Sequence, residues 1–279
     1  MNVGFIGTGS MGSLLIEAFV SSGALTPGQI AASNRTYAKA ARLAACYPGL
    51  KAVTSNAEAA IGRDIVFLCV KPHEFKTVID ELRSVAAPEQ LFVSITSPVM
   101  IKVLEDQLPS KIAKVIPSIT NRVRSGASLC IYGTRTTDED RARLENLLGF
   151  ISVPLHIDER YTRIVSDLSS CGPAFISYVL QCFVDAAVEE TGIDREQALA
   201  VATAMLRGTG ELLTAGGMTP EQIQQRVAVP GGITAEALQL MERELDGVFG
   251  QVIRTTHAKF REDLEKIGFS FYGEEVNGL

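Results

Sequence analysis

The run GFIGTGSMG, residues 4–12, constrains the chain more than any other stretch. A short apolar run, NVGFI, leads into GTGSMG and then into the amphipathic SLLIEAFVSSG, which reads as a strand, a glycine turn and a helix. In that order each glycine has a task. Gly7 makes the tight turn, Gly9 leaves room for a pyrophosphate to approach the backbone, and Gly12 lets the helix pack on the strand. Thr8, Ser10 and Met11 occupy the positions between them and complete a dinucleotide-binding loop. Further apolar runs follow at IAAS (30–33), KAV (51–53), DIVFLCV (64–70), LFVSI (91–95) and AKVIP (113–117), separated by helical stretches such as YAKAARLAA and EFKTVIDELRSV. This alternation predicts an α/β fold, a Rossmann-type doubly wound parallel sheet over residues 1–157.

The choice of dinucleotide rests on SNRT. An NAD site usually carries Asp or Glu at the end of the second strand, about twenty residues past the glycines, to hold the ribose hydroxyls. Here that place holds Asn34 and Arg35. A guanidinium suits a 2′-phosphate and no carboxylate stands there to repel it, so the expected cofactor is NADP (NADPH). The plainer reading makes Asn34 or Thr36 a helix cap and Arg35 a solvated charge. Val70, Lys71 and Pro72 lie just past a strand end, the edge where open α/β sheets bind ligands, and join the cofactor-binding set.

From about residue 158 the pattern becomes helical, with segments at 160–169, 173–191, 194–214, 219–226, 234–243 and 245–267, giving a second domain over 158–279. Pro173 to Val188 is apolar on more than one face, as in a helix buried centrally or against a second subunit. Gln181, Asp185 and flanking acids make 171–188 a poor membrane span. VPGGIT (229–234) breaks a helical stretch where a new helix should start. Such a turn gathers backbone N–H groups that suit a carboxylate, or it is a simple interhelical turn with Thr234 as N-cap.

Across 279 residues the formal net charge is −6, and no basic patch stands out, which argues against a nucleic-acid partner. The five cysteines lack metal or disulfide spacing and read as reduced residues of a cytoplasmic protein, with Cys171 set apart beside a Gly-Pro turn. Three scattered histidines offer neither a metal site nor a hydrolytic triad.

GFIGTGSMG, SNRT, VKP, SCGPAF and VPGGIT, in this order over almost the whole chain, resemble the pyrroline-5-carboxylate reductase family. The resemblance implies NADPH-dependent reduction of a cyclic imine carboxylate, a C=N substrate. It also implies an all-helical C-terminal domain that dimerises by interlocking helices and a substrate site between the domains. Gly231, Gly232 and Ile233 would lie against the substrate carboxylate, and Thr234 would face the imine nitrogen as the catalytic residue. Val229 replaces a hydroxyl that in the family would help hold the carboxylate. Other departures also cluster on the substrate side: Ser170 and Cys171 in SSCGPAF, the segment IPSIT (116–120), and Thr96-Ser97-Pro98 after the fifth strand. This drift resembles the divergent branch encoded in late-competence operons. It leaves a second reading, a nucleotide-binding regulatory protein of the same fold with weak or no turnover. A β-hydroxyacid dehydrogenase is disfavoured, because no lysine occurs between Val115 and Ala258 to handle an alcohol proton.

Overall fold

The computed structural model describes residues 1–273. Eight strands form one sheet in the order β3-β2-β1-β4-β5-β6-β7-β8. They are β1 (Val3–Ile6), β2 (Ile30–Ser33), β3 (Lys51–Val53), β4 (Ile65–Leu68), β5 (Leu91–Ser94), β6 (Lys111–Ile116), β7 (Ala127–Tyr132) and β8 (Val153–His156). β1 to β6 pair in parallel, whereas β7 runs antiparallel to β6 and parallel to β8. The helices of this part are α1 (Ser10–Ser21), α2 (Tyr37–Cys46), α3 (Asn56–Ala60), α4 (Phe75–Leu82), α5 (Ile101–Gln107), α6 (Asp138–Gly149) and α7 (Thr162–Ser166).

The four-residue strands β1, β2, β4 and β5 are buried at every position, as expected of parallel strands covered on both faces. One core layer centres on Phe5, Phe19 and Phe67, with the Phe5 and Phe67 rings stacked at 5.0 Å. The other gathers Leu68, Phe75, Phe92 and Leu104.

β7 and β8 are additions to the sequence reading. A short turn of 3₁₀ helix (Ile119–Val123) reverses the chain after β6, so no crossover helix announces β7. β8 is mostly exposed and carries Pro154, features of an edge strand that weaken any hydrophobic pattern.

The chain divides into two compact units, one made of Met1–Gly172 and the segment from Thr255 onward, the other of Pro173–Arg254. Two features tie the extra segments to the sheet. Lys114, fully buried on β6, pairs with Glu159 Oε1 at 2.6 Å. Ile267, 3% exposed, packs into the same layer as Phe92 and Leu104. Buried Asp167 adds a polar anchor, accepting from Arg163 Nη2 at 2.8 Å and Thr256 Oγ1 at 2.7 Å.

The second unit holds α8 (Gly172–Thr191), α9 (Arg195–Leu213), α10 (Pro220–Val227), α11 (Ile233–Leu245) and the start of α12 (Val248–Tyr272). Its buried apolar core consists of Val184, Ala198 and Ala202. Tyr178, Phe183 and Val201 are each about two-thirds exposed.

Gly172 and Pro173 do not end a helix as the sequence suggests. A π-helical stretch, Asp167–Cys171, carries α7 into α8. Pro173 lacks the N–H that would serve the Ser169 carbonyl, and Ser118 Oγ donates to that oxygen instead, at 2.9 Å. The resulting helical run, 159–191, is long enough, and an 18-residue stretch within it, at a mean hydropathy of 1.4, apolar enough, to pass as a membrane span on those two criteria, despite Gln181 and Asp185.

Candidate cofactor site and the PGG turn

The strand order reverses direction between β1 and β4, and the glycine loop leaves β1 at that point. Gly7 has φ of 97°, and its N–H donates to the Ser33 carbonyl at 2.9 Å. A Cβ there would strike the Cys69 carbonyl, and one at Gly12 would strike the Gly7 carbonyl. Gly9 differs: a Cβ would meet nothing within 4 Å. It also stands as the N-cap of α1 with no side chain capping the first turn, which leaves Ser10 at the exposed, electropositive end of the helix. Thr8 is buried, with its Oγ1 unpartnered, and Met11 packs on the core. An open space over Gly9, an uncapped helix start and an orphaned hydroxyl fit a pyrophosphate group.

The loop opens on a cleft of about 680 Å³ whose walls include Gly7, Gly9, Asn34, Arg35, Val70 and Lys71. Pro72 begins a single 3₁₀ turn, Pro72–Glu74, that shapes one wall. Cys69 lies in the lining as well, and burial pushes its thiol up, so it stays protonated. Asn34 is occupied by the protein itself: its Oδ1 accepts from Thr8 N at 3.0 Å and its Nδ2 donates to the Thr36 carbonyl at 3.1 Å. Its amide braces the glycine loop. Arg35 is not a free charge, because Nη1 pairs with Glu74 Oε1 at 2.6 Å. Glu74, Glu81, Ser55 and Asn56 also line the cleft and escaped the sequence reading. Glu81 accepts from Asn56 Nδ2 at 2.6 Å, and Asn56 Oδ1 accepts from Ser33 Oγ at 2.7 Å. The step from β3 into α3 was the available signal, since the start of that helix also reaches the C-terminal edge of the sheet.

Beyond β5, the departing segments meet one another. Ser170 Oγ donates to the Pro117 carbonyl at 2.8 Å, alongside the bond from Ser118 to Ser169. A hydroxyl at position 170 thus fastens SSCGPAF to IPSIT, a bond a glycine could not make. Ser118 is itself buried and accepts from Thr120 N while its own N–H donates to Asn121 Oδ1 at 2.8 Å. Thr96 Oγ1 donates to the Val70 carbonyl at 3.0 Å, joining the strand-end loops of β4 and β5. Cys171 is half-buried, its Sγ 3.2 Å from Arg163 Nη2.

The PGG turn lies in the second unit. Gly231 has φ of 72°, and Gly232, extended, is the N-cap of α11 with no side chain capping it. The Gly232 N–H closes the turn onto the Val229 carbonyl at 2.9 Å. α11 begins at Ile233, so Thr234 is inside the helix rather than its N-cap, which corrects the plainer sequence reading. Val229 and Ile233 are exposed, Ile233 at 92%. The backbone starts of α1 and α11 are therefore both glycine-capped, one in each unit.

Residues 159–263 match the pyrroline-5-carboxylate reductase dimerisation family, and residues 2–98 match the family described as NADP oxidoreductase, coenzyme F420-dependent. The chain is 31% identical over 242 residues to pyrroline-5-carboxylate reductase of Methanosarcina acetivorans, covering 86% of this chain and 89% of that one. It belongs to the pyrroline-5-carboxylate reductase family. Members of this family are NAD(P)-dependent oxidoreductases. The chain is also 38% identical over 272 residues to ComE operon protein 4 of Bacillus subtilis, covering 98% of this chain and all of that one. Among solved structures, a pyrroline-5-carboxylate reductase from Coxiella burnetii superposes with a TM-score of 0.85 at 25% identity, over 94% of this chain and 98% of that chain. Ser118 and Ser170 each cross between IPSIT and SSCGPAF, Ser118 to the Ser169 carbonyl and Ser170 to the Pro117 carbonyl.

Proposed function

We propose that the protein is an NADPH-dependent reductase of a cyclic imine carboxylate, 1-pyrroline-5-carboxylate or a related C=N compound. The observation that carries this reading is the glycine-capped, uncapped-by-side-chain start of α1, opening on a cleft that holds Arg35, in a chain of this family. The bound nicotinamide cofactor would supply the hydride. Gly7, Gly9 and Gly12 shape the loop that receives its pyrophosphate, Asn34 braces that loop, and Arg35 faces a 2′-phosphate once it leaves Glu74. Val70, Lys71 and Pro72 form the adjoining wall.

At the second unit, the backbone of Gly231, Gly232 and Ile233 is proposed to hold the substrate carboxylate at the start of α11. Thr234 Oγ1 would donate a hydrogen bond to the imine nitrogen as its charge changes. A preformed donor of this kind lowers a barrier through electrostatics and positioning, and an easily protonated imine needs no dedicated base.

The same reading makes the protein a homodimer. A 20-residue α8 with Val184 as its buried residue, and a unit whose apolar core is three residues, leave large side chains such as Phe183 and Val201 to be covered by a second copy. A cytoplasmic location and a part in proline biosynthesis belong to this proposal as well.

One observation favours the regulatory alternative: Val229, 61% exposed, brings no hydroxyl to the turn. The test is NADPH oxidation with 1-pyrroline-5-carboxylate, run beside a direct cofactor titration. Turnover supports the reductase, and cofactor binding without turnover on this or related cyclic imines supports the alternative.

A further inference from the structure

The carboxylate missing from the end of β2 is supplied from another part of the sheet. Glu74, in the 3₁₀ turn that follows β4, reaches Arg35 with Oε1 at 2.6 Å while Oε2 accepts from the Lys71 N–H at 3.1 Å. The two partners are unequal. Glu74 is 23% exposed and tied to backbone, whereas the Arg35 side chain is 85% exposed. An ion pair with so exposed a member is weak, so Arg35 can leave and Glu74 stays. Both line the same cleft, together with the cations Lys39 and Lys71 and the second carboxylate Glu81. Glu81 is engaged by Asn56, and the Asn34 amide is engaged at both ends, so neither replaces Glu74 beside Arg35.

We infer that Glu74 is a cofactor-specificity residue: it accepts from the adenosine ribose hydroxyls and opposes a 2′-phosphate at Arg35, giving the protein a narrow preference between NADPH and NADH. This rests on the cofactor reading proposed above and goes further by naming the residue that limits it. The chemistry is direct. A ribose 2′-hydroxyl donates to a carboxylate, which is what an acid at the end of the second strand does in NAD sites. A 2′-phosphate placed on Arg35 meets a negative charge within hydrogen-bond distance of the same guanidinium, and must displace it as partner. Arg35 and Glu74 thus form a pair in which each member serves one of the two cofactors.

Glu74→Gln keeps the shape and can still accept from the Lys71 N–H, so the turn is preserved. The experiment is a fluorescence titration of the full-length protein with NADPH and with NADH, parent against Glu74→Gln, without substrate. The expected result is NADPH binding tightened by roughly five- to tenfold and NADH binding weakened by roughly three- to tenfold. The weakening of NADH is the decisive arm. A general change in field would tighten both nucleotides, and that result overturns the ribose contact. An unchanged ratio overturns the inference while leaving the cofactor reading intact. A parent that binds neither nucleotide overturns both. Absence of imine turnover with the titration result as expected leaves the inference standing.

Discussion

Glu159→Gln removes the partner of the most deeply buried charge in the sheet unit. Lys114 is wholly enclosed, and its Nζ reaches Glu159 Oε1 at 2.6 Å and the Ser97 carbonyl at 3.2 Å. Glu159 Oε1 also accepts from the Ile101 N–H at 2.9 Å, so one oxygen secures both a strand lysine and a helix start. Neutralising it leaves an ammonium in an apolar layer with uncharged partners only, the new amide oxygen, the Ser97 carbonyl and the Met100 sulfur. Breaking a buried pair this way costs about 3 to 5 kcal/mol, and because Glu159 is 23% exposed the lower figure, about 3 kcal/mol, applies. For a unit of this size that is a fall in Tm of roughly 6 to 12 °C.

The pH dependence gives a second signature of the same bond. Desolvation lowers the Lys114 pKa below the ordinary lysine value, and Glu159 pulls the other way. Between that lowered pKa and the unfolded value of about 10.4, the unfolded chain holds more protons, so stability rises with pH there. Taking away Glu159 lowers the folded pKa further and widens the window. The loss in Glu159→Gln should therefore be largest near neutral pH and shrink as pH approaches 10. Adding Lys114→Met should recover much of the stability, since an apolar side chain of similar length at 114 leaves no buried charge to desolvate. Urea unfolding of the parent, Glu159→Gln and the double variant at two pH values measures all of this. A loss under about 1 kcal/mol, or one that does not vary with pH, would refute the reasoning.

Three further predictions follow from the proposed function. Arg35→Ala should weaken NADPH binding and leave NADH nearly unchanged, narrowing the gap in a direct titration; equal affinities in the parent would contradict the assignment. Thr234→Ala should lower imine turnover by roughly ten- to a thousandfold with little change in NADPH binding, and Val229→Ser should raise turnover on 1-pyrroline-5-carboxylate. An untouched rate in Thr234→Ala would remove the threonine from the mechanism. Sedimentation at micromolar concentration should find a dimer, and Phe183→Glu, placing a charge on an exposed apolar face of α8, should shift it toward monomer; a parent that sediments as a monomer would sink the assembly proposal.

The parallel part of the sheet was legible because buried strands are short unbroken apolar runs and the glycine loop marks where they begin; β1 to β6 fall on the runs read from sequence. β7 and β8 were hidden by an antiparallel turn and a proline-bearing edge, neither of which leaves a strong pattern. Pro173 reads as a helix break because local rules cannot know that Ser118, more than fifty residues earlier, takes the stranded carbonyl. The site shows the same division. Glycines with positive φ or no room for a Cβ are readable, since the backbone itself demands them. Glu74 was not, because its meaning depends on a residue from a different strand end. Asn34 lines the cleft but spends its amide on the loop, a role that only its partners reveal.

The return of α12 to the sheet unit sets an order of events during synthesis. Ile267 closes part of the core around Phe92 and Leu104, yet it is translated only after the whole of Pro173–Arg254 has been made. A nascent chain that has already released its glycine loop and every strand still lacks a piece of its own core. Throughout that interval the apolar faces of α8 and α9 are outside the ribosome before the sheet unit can be sealed. For the proposed dimer, two neighbouring ribosomes on one message would present those faces to each other at high local concentration, so that pairing of chains precedes completion of either one.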